Sequence, residues 1–110
     1  MALRATSGPE PSTRSAKTGE AVTFRAKVEN TAAAPASVAL FAEDLKEGVM
    51  AFDPPSAAVP AKSRKPLQFV WTAALPEGKD AHTWRGSLVL RDAQSGQVVG
   101  RASLDLYVSP

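Results

Sequence analysis

The sequence predicts an all-β domain, an antiparallel β-sandwich of about seven strands. Three observations support this prediction. Apolar and polar side chains alternate with a period of two in several stretches, as they do in half-buried strands. Turn-forming residues separate those stretches, and almost no segment has the periodicity of an amphipathic helix. The chain is 110 residues long, which is the length of one domain.

The N-terminal segment, 1–17, mixes small, polar and proline residues without a helical period. Residues 3–6 fit a short edge strand, and residues 7–15 are typical of a turn or a loose arm. We therefore divide the chain into a flexible N-terminal arm or edge strand, residues 1–17, and a β-sandwich domain, residues 18–110.

Two strands are predicted over residues 21–29 and 36–41. The inward positions of the first are Val22, Phe24, Ala26 and Val28. In the second, Val38 and Leu40 share one face, while Ala39 and Phe41 share the other. Residues 30–35 are small or turn-forming, so we predict a hairpin-type connection between two paired strands.

Turns dominate the middle of the chain. Residues 43–47 fit one helical turn closed by Gly48. Pro54 and Pro55 argue against a regular strand around them. The next strand is predicted at 67–73, with Leu67, Phe69 and Trp71 on one face.

A long hairpin is predicted at the C-terminal end. Its strands cover residues 83–91 and 98–108, and Gly96 in the turn supplies the positive φ that a bulged loop requires. The inward positions are Trp84, Gly86, Leu88 and Leu90 on the first strand, and Ala102, Leu104, Leu106 and Val108 on the second.

The order of these features resembles that of bacterial immunoglobulin-like modules. "GEAVTFRAKVENT" is similar to the opening of the CARDB (cell-adhesion-related) and NPCBM-associated NEW3 groups. "AAVPAKSRKPLQFVWTAALPEG" and "HTWRGSLVLRDAQSGQVVGRASLDLYV" resemble their later strand and closing hairpin. One departure is Lys62-Ser63, which stands where their turn usually has glycine.

This resemblance, over about residues 17–108, implies an immunoglobulin-like antiparallel β-sandwich. It also implies a non-enzymatic structural or protein-interaction module of a bacterial envelope, secreted or surface-assembled protein. Location at the periplasm, cell surface or outside the cell is favoured by the resemblance alone. In these modules the asparagine matching Asn30 follows a strand, where its side chain can bond the backbone and tolerate a left-handed conformation.

Composition and charge restrict the function further. The chain has no cysteine, which excludes disulfides, thiolate metal sites and cysteine nucleophiles. Thirteen basic and eleven acidic residues indicate a mixed surface rather than the clustered basic surface of a nucleic-acid-binding protein. No apolar stretch approaches the ~18 residues of a membrane span, and residues 1–17 lack the apolar core of a signal peptide. We therefore expect neither nucleic-acid binding nor membrane insertion.

Catalytic, cofactor-binding and metal-ligating residues are predicted to be absent. His82, the one histidine, lies near Asp80 and is interpreted as a solvated loop residue, because the GxSxG motif of a hydrolase is missing. The densest acidic group lacks the spacing of a calcium loop and is interpreted as a solvated turn. Its members are Glu43, Asp44, Glu47 and Asp53.

The candidate partner contacts are Tyr107, Lys62, Arg64 and Lys65. The three basic residues are predicted at an exposed hairpin tip, and Tyr107 lies in the polar register of the last strand. Trp71 and Trp84 are assigned to the core. An alternative is a carbohydrate-binding module that tethers an enzyme to a glycan, in which these tryptophans and Tyr107 would form a stacking platform.

The partner is expected to be a protein or a second copy of the chain, contacted through edge strands or loops. The strand at 36–42 and the N-terminal segment are the candidate edges.

Overall fold

The structure is a computed structural model that describes residues 3–45 and 49–110. The described residues form eight strands in two sheets, which confirms the predicted all-β sandwich. The strands are β1 (Leu3–Glu10), β2 (Thr13–Lys17), β3 (Ala21–Asn30), β4 (Ala36–Glu43), β5 (Ala57–Val59), β6 (Ser63–Thr72), β7 (His82–Asp92) and β8 (Val98–Ser109). The first sheet has the order β1-β3-β6, and the second has the order β2-β8-β7-β4-β5. In this part of the chain no helix has the length and hydropathy needed to cross a membrane.

The core lies between the two sheets and contains the apolar positions that the alternation predicts. Phe24 of β3 and Phe69 of β6 are fully buried, as is Leu106 of β8. Trp71 and Trp84 meet edge to face with ring centroids 5.6 Å apart, and the Trp84 indole N–H donates to the Ala74 carbonyl at 3.1 Å. The assignment of both tryptophans to the core is confirmed.

The predicted hairpin between β3 and β4 is wrong, because these strands lie in opposite sheets. The buried Asn30 side chain stabilises the connection that leads from β3 in one sheet to β4 in the other. Its amide nitrogen donates to the carbonyls of Ala34 at 3.0 Å and Val59 at 3.2 Å, and its oxygen accepts the Ala32 N–H at 3.0 Å. The bonds from Asn30 to the backbone are confirmed, although its own φ is not positive. The alternation of apolar and polar residues shows which side chains of a strand point inward, but it does not show to which of the two sheets the strand belongs.

The N-terminal segment joins both sheets. β1 pairs antiparallel with β3, and β2 pairs parallel with β8. Leu3 and Ala16 are buried in the core. Most of residues 7–15, which were expected to form a turn or a loose arm, therefore belong to strands. The apolar residues that anchor this segment are too scattered to show a period of two in the sequence. The division of the chain at residue 17 stays a prediction.

The region between β4 and β6 also differs from the expectation. β5 was not predicted, because three residues are too short to show a period, and β6 begins at Ser63, four residues earlier than expected. Glu43 belongs to β4, and the rest of the predicted helical turn overlaps residues 46–48, which lie outside the described residues. β4 is not an edge along its whole length, because β5 pairs with residues 36–38. Gly96 has the predicted positive φ, 77°.

Candidate functional site

A shallow groove of about 330 Å³ lies at the end of the first sheet where β3 ends and β6 begins. We call it the basic groove, and its lining residues are Glu29, Asn30, Thr31, Lys62, Ser63 and Arg64. Strand register places Glu29 opposite Arg64 on one side and opposite Arg4 of β1 on the other. One carboxylate thus lies between two guanidinium groups.

The charges of this row do not balance. Arg64 Nε donates to Glu29 Oε2 at 2.6 Å, and Arg4 Nη2 donates to Oε1 at 3.4 Å. The hydrogen bond from Arg64 lowers the pKa of Glu29 despite an opposing effect of burial, so this carboxylate stays ionised. The Glu29 side chain is 18% exposed, whereas those of Arg4 and Arg64 are 68% and 74% exposed. The row therefore presents positive charge to solvent.

Lys62 has an unusual backbone for a lysine. Its φ is 51°, in the left-handed region that favours glycine. The Lys62 N–H donates to the Ala32 carbonyl at 3.1 Å, and the Ser63 hydroxyl donates to the Pro60 carbonyl at 2.7 Å. Those bonds fix the turn between β5 and β6. A lysine costs about 1 kcal/mol in this conformation, and such local strain clusters at functional sites.

The other predicted basic residues lie on β6, not at a hairpin tip. Arg64 points outward from the first sheet, opposite Glu29. Lys65 is opposite the buried Val28, in the inward register, but it remains exposed near the strand end. Only Lys62 and Arg64 of the predicted contacts line the basic groove.

Tyr107 is exposed as predicted, 45%, but it lies far from the basic groove. It belongs to β8 in the second sheet, opposite Thr83. Just beyond it, the Ser109 carbonyl accepts the Thr18 N–H, and the neighbouring Gly19 N–H donates to the carbonyl of Ala73, at the far end of β6 from Arg64. The structure therefore separates Tyr107 from the three basic contacts by the length of a strand.

The outer face of the second sheet carries a different ion pair. Arg91 of β7 donates to both carboxylate oxygens of Glu43, from Nε at 2.8 Å and from Nη2 at 3.1 Å. Register places Arg91 opposite Ala39 and Glu43 opposite Ser87, so the pair spans the intervening Phe41–Val89 position. Val89 has no exposed surface, although it faces outward. On this face Val89 is flanked by the ion pair, by Phe41 and by Arg101.

The outer edge of β6 is poorly suited to pairing with another strand. Val70 exchanges two backbone hydrogen bonds of 2.9 Å with Asp53, so alternate residues of β6 direct their backbone groups away from β3. Pro66 occupies one of these positions and has no N–H to donate. Proline and charged residues of this kind protect natural edge strands from pairing.

The remaining polar candidates have structural roles. His82 is the first residue of β7, half-buried and edge to face with Trp84 at 5.3 Å, so the expectation of a solvated loop histidine is wrong. Glu43, from the predicted acidic turn, is bound by Arg91. In residues 3–45 and 49–110, no three acidic or histidine side chains are grouped as metal ligands would be.

Sequence reasoning missed Arg4 and Glu29 as parts of the site. They are 25 positions apart, and strand register alone brings them together. Neither residue lies in a basic run. The one available signal was the polar face of β3, which carries Glu29 beside cations.

Comparison with known proteins supports the fold alone. No protein-family model matches the chain. No curated protein matches it either. Among solved structures, it is similar to the YadV chaperone, with 18% identity and a TM-score of 0.51 over 100% of this chain and 52% of that one. The fold is an immunoglobulin-like β-sandwich.

Two further structures show weaker similarity. The Pseudomonas aeruginosa CupB2 chaperone is 16% identical, with a TM-score of 0.48 over 96% of this chain and 54% of its own. A PapD-like domain of human CEP192 is 10% identical, with a TM-score of 0.46 over 98% of this chain and 84% of its own. The chain spans about half the length of the two chaperones.

Proposed function

We propose that this chain is a non-enzymatic protein-interaction module of a bacterial envelope, secreted or surface-assembled protein. It binds by holding loops and strand ends rigidly on the sandwich. The observation that carries this proposal is the basic groove, where Arg64 and Lys62 are positioned by neighbouring backbone and by Glu29.

The chemistry of the basic groove favours binding over catalysis. Its one carboxylate, Glu29, is held ionised by Arg64 and Arg4, so it is a poor proton acceptor. The Asn30 amide is already occupied by three hydrogen bonds to the backbone. What remains at the surface is a set of exposed cations, which suits the recognition of an anionic partner.

The carbohydrate-binding alternative has less support. A stacking platform needs exposed aromatic rings, and both Trp71 and Trp84 are buried. Tyr107 is exposed, but it lies at the opposite end from the basic groove. We therefore propose no glycan-tethering role.

A peptide-display selection on the purified protein tests the proposed function. Arg64→Ala is the test variant, and Arg85→Ala is its matched control, since both side chains are 74% exposed and each lies near one carboxylate. We expect the protein to enrich related peptides and Arg64→Ala, but not Arg85→Ala, to lose them. Light scattering on the same samples shows whether a second copy is the partner. Enrichment of no peptide, together with a monomer at all concentrations, would contradict the proposal.

A further inference from the structure

We infer that the partner of the basic groove is an extended acidic polypeptide segment, whose alternate carboxylates lie along the outer face of the first sheet. This inference rests on the proposed function and specifies the chemistry of its ligand. The occupant is argued from charge complementarity and from the spacing of the cations on β3.

The cations follow one strand at a regular interval. Arg25 and Lys27 point outward from β3, two residues apart, and the Arg4–Glu29–Arg64 row lies two residues beyond. Successive outward positions of a strand are separated by about 6.7 Å. Side chains on one face of an extended polypeptide have the same spacing, so carboxylates at every second residue would match this series.

The face carries more positive than negative charge. Among the described residues, its cations are Arg4, Arg25, Lys27 and Arg64, and its carboxylates are Glu10, Glu29 and Asp53, which the bridge to Val70 places at the edge of this face. Glu29 is bound between two arginines, and Lys62 adds a further cation at the rim of the groove. An acidic segment would supply the missing charge, whereas a neutral or basic segment would leave like charges facing one another.

Glu29 orients Arg64 and Arg4, but each arginine uses only part of its hydrogen-bonding capacity on this carboxylate. Arg64 hydrogen-bonds Glu29 through Nε, so its terminal nitrogens keep N–H groups for another acceptor. Arg4 uses one terminal nitrogen in a long contact of 3.4 Å. A guanidinium binds carboxylates through paired N–H groups, so each arginine retains donors for an incoming side chain.

The segment binds through side chains rather than by extending the sheet. Pro66 interrupts the outward-facing donors of β6, as described above, and β1 covers the other side of β3. The exposed surface of β3 is therefore its face. Recognition through charged side chains predicts an affinity that falls with salt.

Titration with synthetic peptides, followed by backbone NMR, tests the inference. The probe is a peptide in which glutamate and threonine alternate, and the controls are its glutamine analogue and an isomer with all glutamates in one block. Inorganic phosphate is a separate arm. We expect the alternating glutamate peptide to shift Lys27, Lys62 and Arg64 signals, and Arg64→Ala to weaken binding about tenfold. Arg85→Ala should change it by about twofold or less.

Several results would overturn the inference. The first is that the glutamine analogue or the block isomer binds as tightly as the alternating glutamate peptide. The second is that Arg64→Ala and Arg85→Ala weaken binding of that peptide equally. The third is that phosphate displaces the peptide and that phosphate binding is equally sensitive to Arg64→Ala. The last result would assign the site to small anions. If display selection enriches peptides of another chemistry, this inference fails while the proposed function stands. If neither experiment detects a ligand, both fail.

Discussion

Two glutamate–arginine centres on opposite faces of the sandwich use the same chemical groups differently. On the second sheet, Arg91 binds both oxygens of Glu43, and the two side chains are 29% and 31% exposed. On the first sheet, Glu29 is shared by Arg64 and Arg4, which are far more exposed. The Glu43 pair is closed by its two-point contact, with Arg101 as a further nearby cation, whereas the Glu29 centre is open to solvent.

The difference shows what separates a structural ion pair from a binding site. In the Arg91–Glu43 pair the two charged groups bind each other, and they lie on either side of the buried Val89. Arg91 also donates from Nη1 to the Gly96 carbonyl at 2.8 Å. The Glu29 centre has one carboxylate for two cations, so part of its hydrogen-bonding capacity is directed to solvent. The contact geometry and the exposure of the side chains, rather than the residue types, distinguish the two.

The largest expected loss of stability comes from replacing Asn30, the buried residue that lines the basic groove. Asn30→Ala removes three hydrogen bonds and leaves the buried Val59 carbonyl without its side-chain partner, so it should lower the free energy of unfolding by about 2–3 kcal/mol. Urea denaturation measures this loss. Asn30→Asp keeps the acceptor, removes the donor and buries a charge, so it should be no more stable at neutral pH. An unchanged urea midpoint in Asn30→Ala would show that the crossing loop does not need this side chain.

The two arginines should differ in their effects on stability. Arg91→Ala removes a two-point contact beside the buried Val89, so we expect it to lower the urea midpoint. Arg64→Ala should leave the midpoint nearly unchanged, because this side chain is mostly in solvent. Both variants should be measured under identical conditions. If Arg64→Ala lowered the urea midpoint more than Arg91→Ala, the assignment of Arg91 to structure and Arg64 to binding would be contradicted.

Lys62→Gly should strengthen the fold while weakening the site. Glycine adopts the left-handed backbone of this turn without steric conflict, so stability should rise by about 0.5–1 kcal/mol. Because a rim cation is lost, binding of the alternating glutamate peptide should fall. Lys65→Gly, in a strand, is the control and should be less stable than the parent protein. Destabilisation by Lys62→Gly would mean that the lysine side chain itself supports the turn.

Carboxyl titrations by NMR should show the smallest effects. The pKa of Glu29 and that of Glu43 are both lowered, mainly by hydrogen bonds from Arg64 and Arg91 respectively. Carboxylates with a lowered folded pKa stabilise the fold above the unfolded pKa, and this contribution is lost as the pH falls through the lowered folded value. Arg91→Ala should return the pKa of Glu43 most of the way to its ordinary value, because Arg101 is the remaining nearby cation. Arg64→Ala should return Glu29 only part of the way, because Arg4 remains; a complete return would show that Arg4 contributes nothing.

The class of fold and most of the core can be predicted from the amino-acid sequence alone. Alternation over β3, β6, β7 and β8 identified the inward side chains, because a period of two follows directly from strand geometry. Turn chemistry identified the positive φ of Gly96, and the resemblance to immunoglobulin-like modules suggested the bonds of Asn30 to the backbone. The basic residues Lys62, Arg64 and Lys65 were also visible as a short run.

Only the tertiary structure decided which strands are neighbours. It placed β3 and β4 in different sheets, brought β1 and β2 into opposite sheets, and set Arg4 and Glu29 side by side. It also moved Tyr107 away from the groove and separated an open Glu29 centre from a closed Glu43 pair. Alternation is a property of one strand, whereas pairing depends on the packing of all strands around a common core. For that reason the local pattern predicted the strands, and their assembly produced the site.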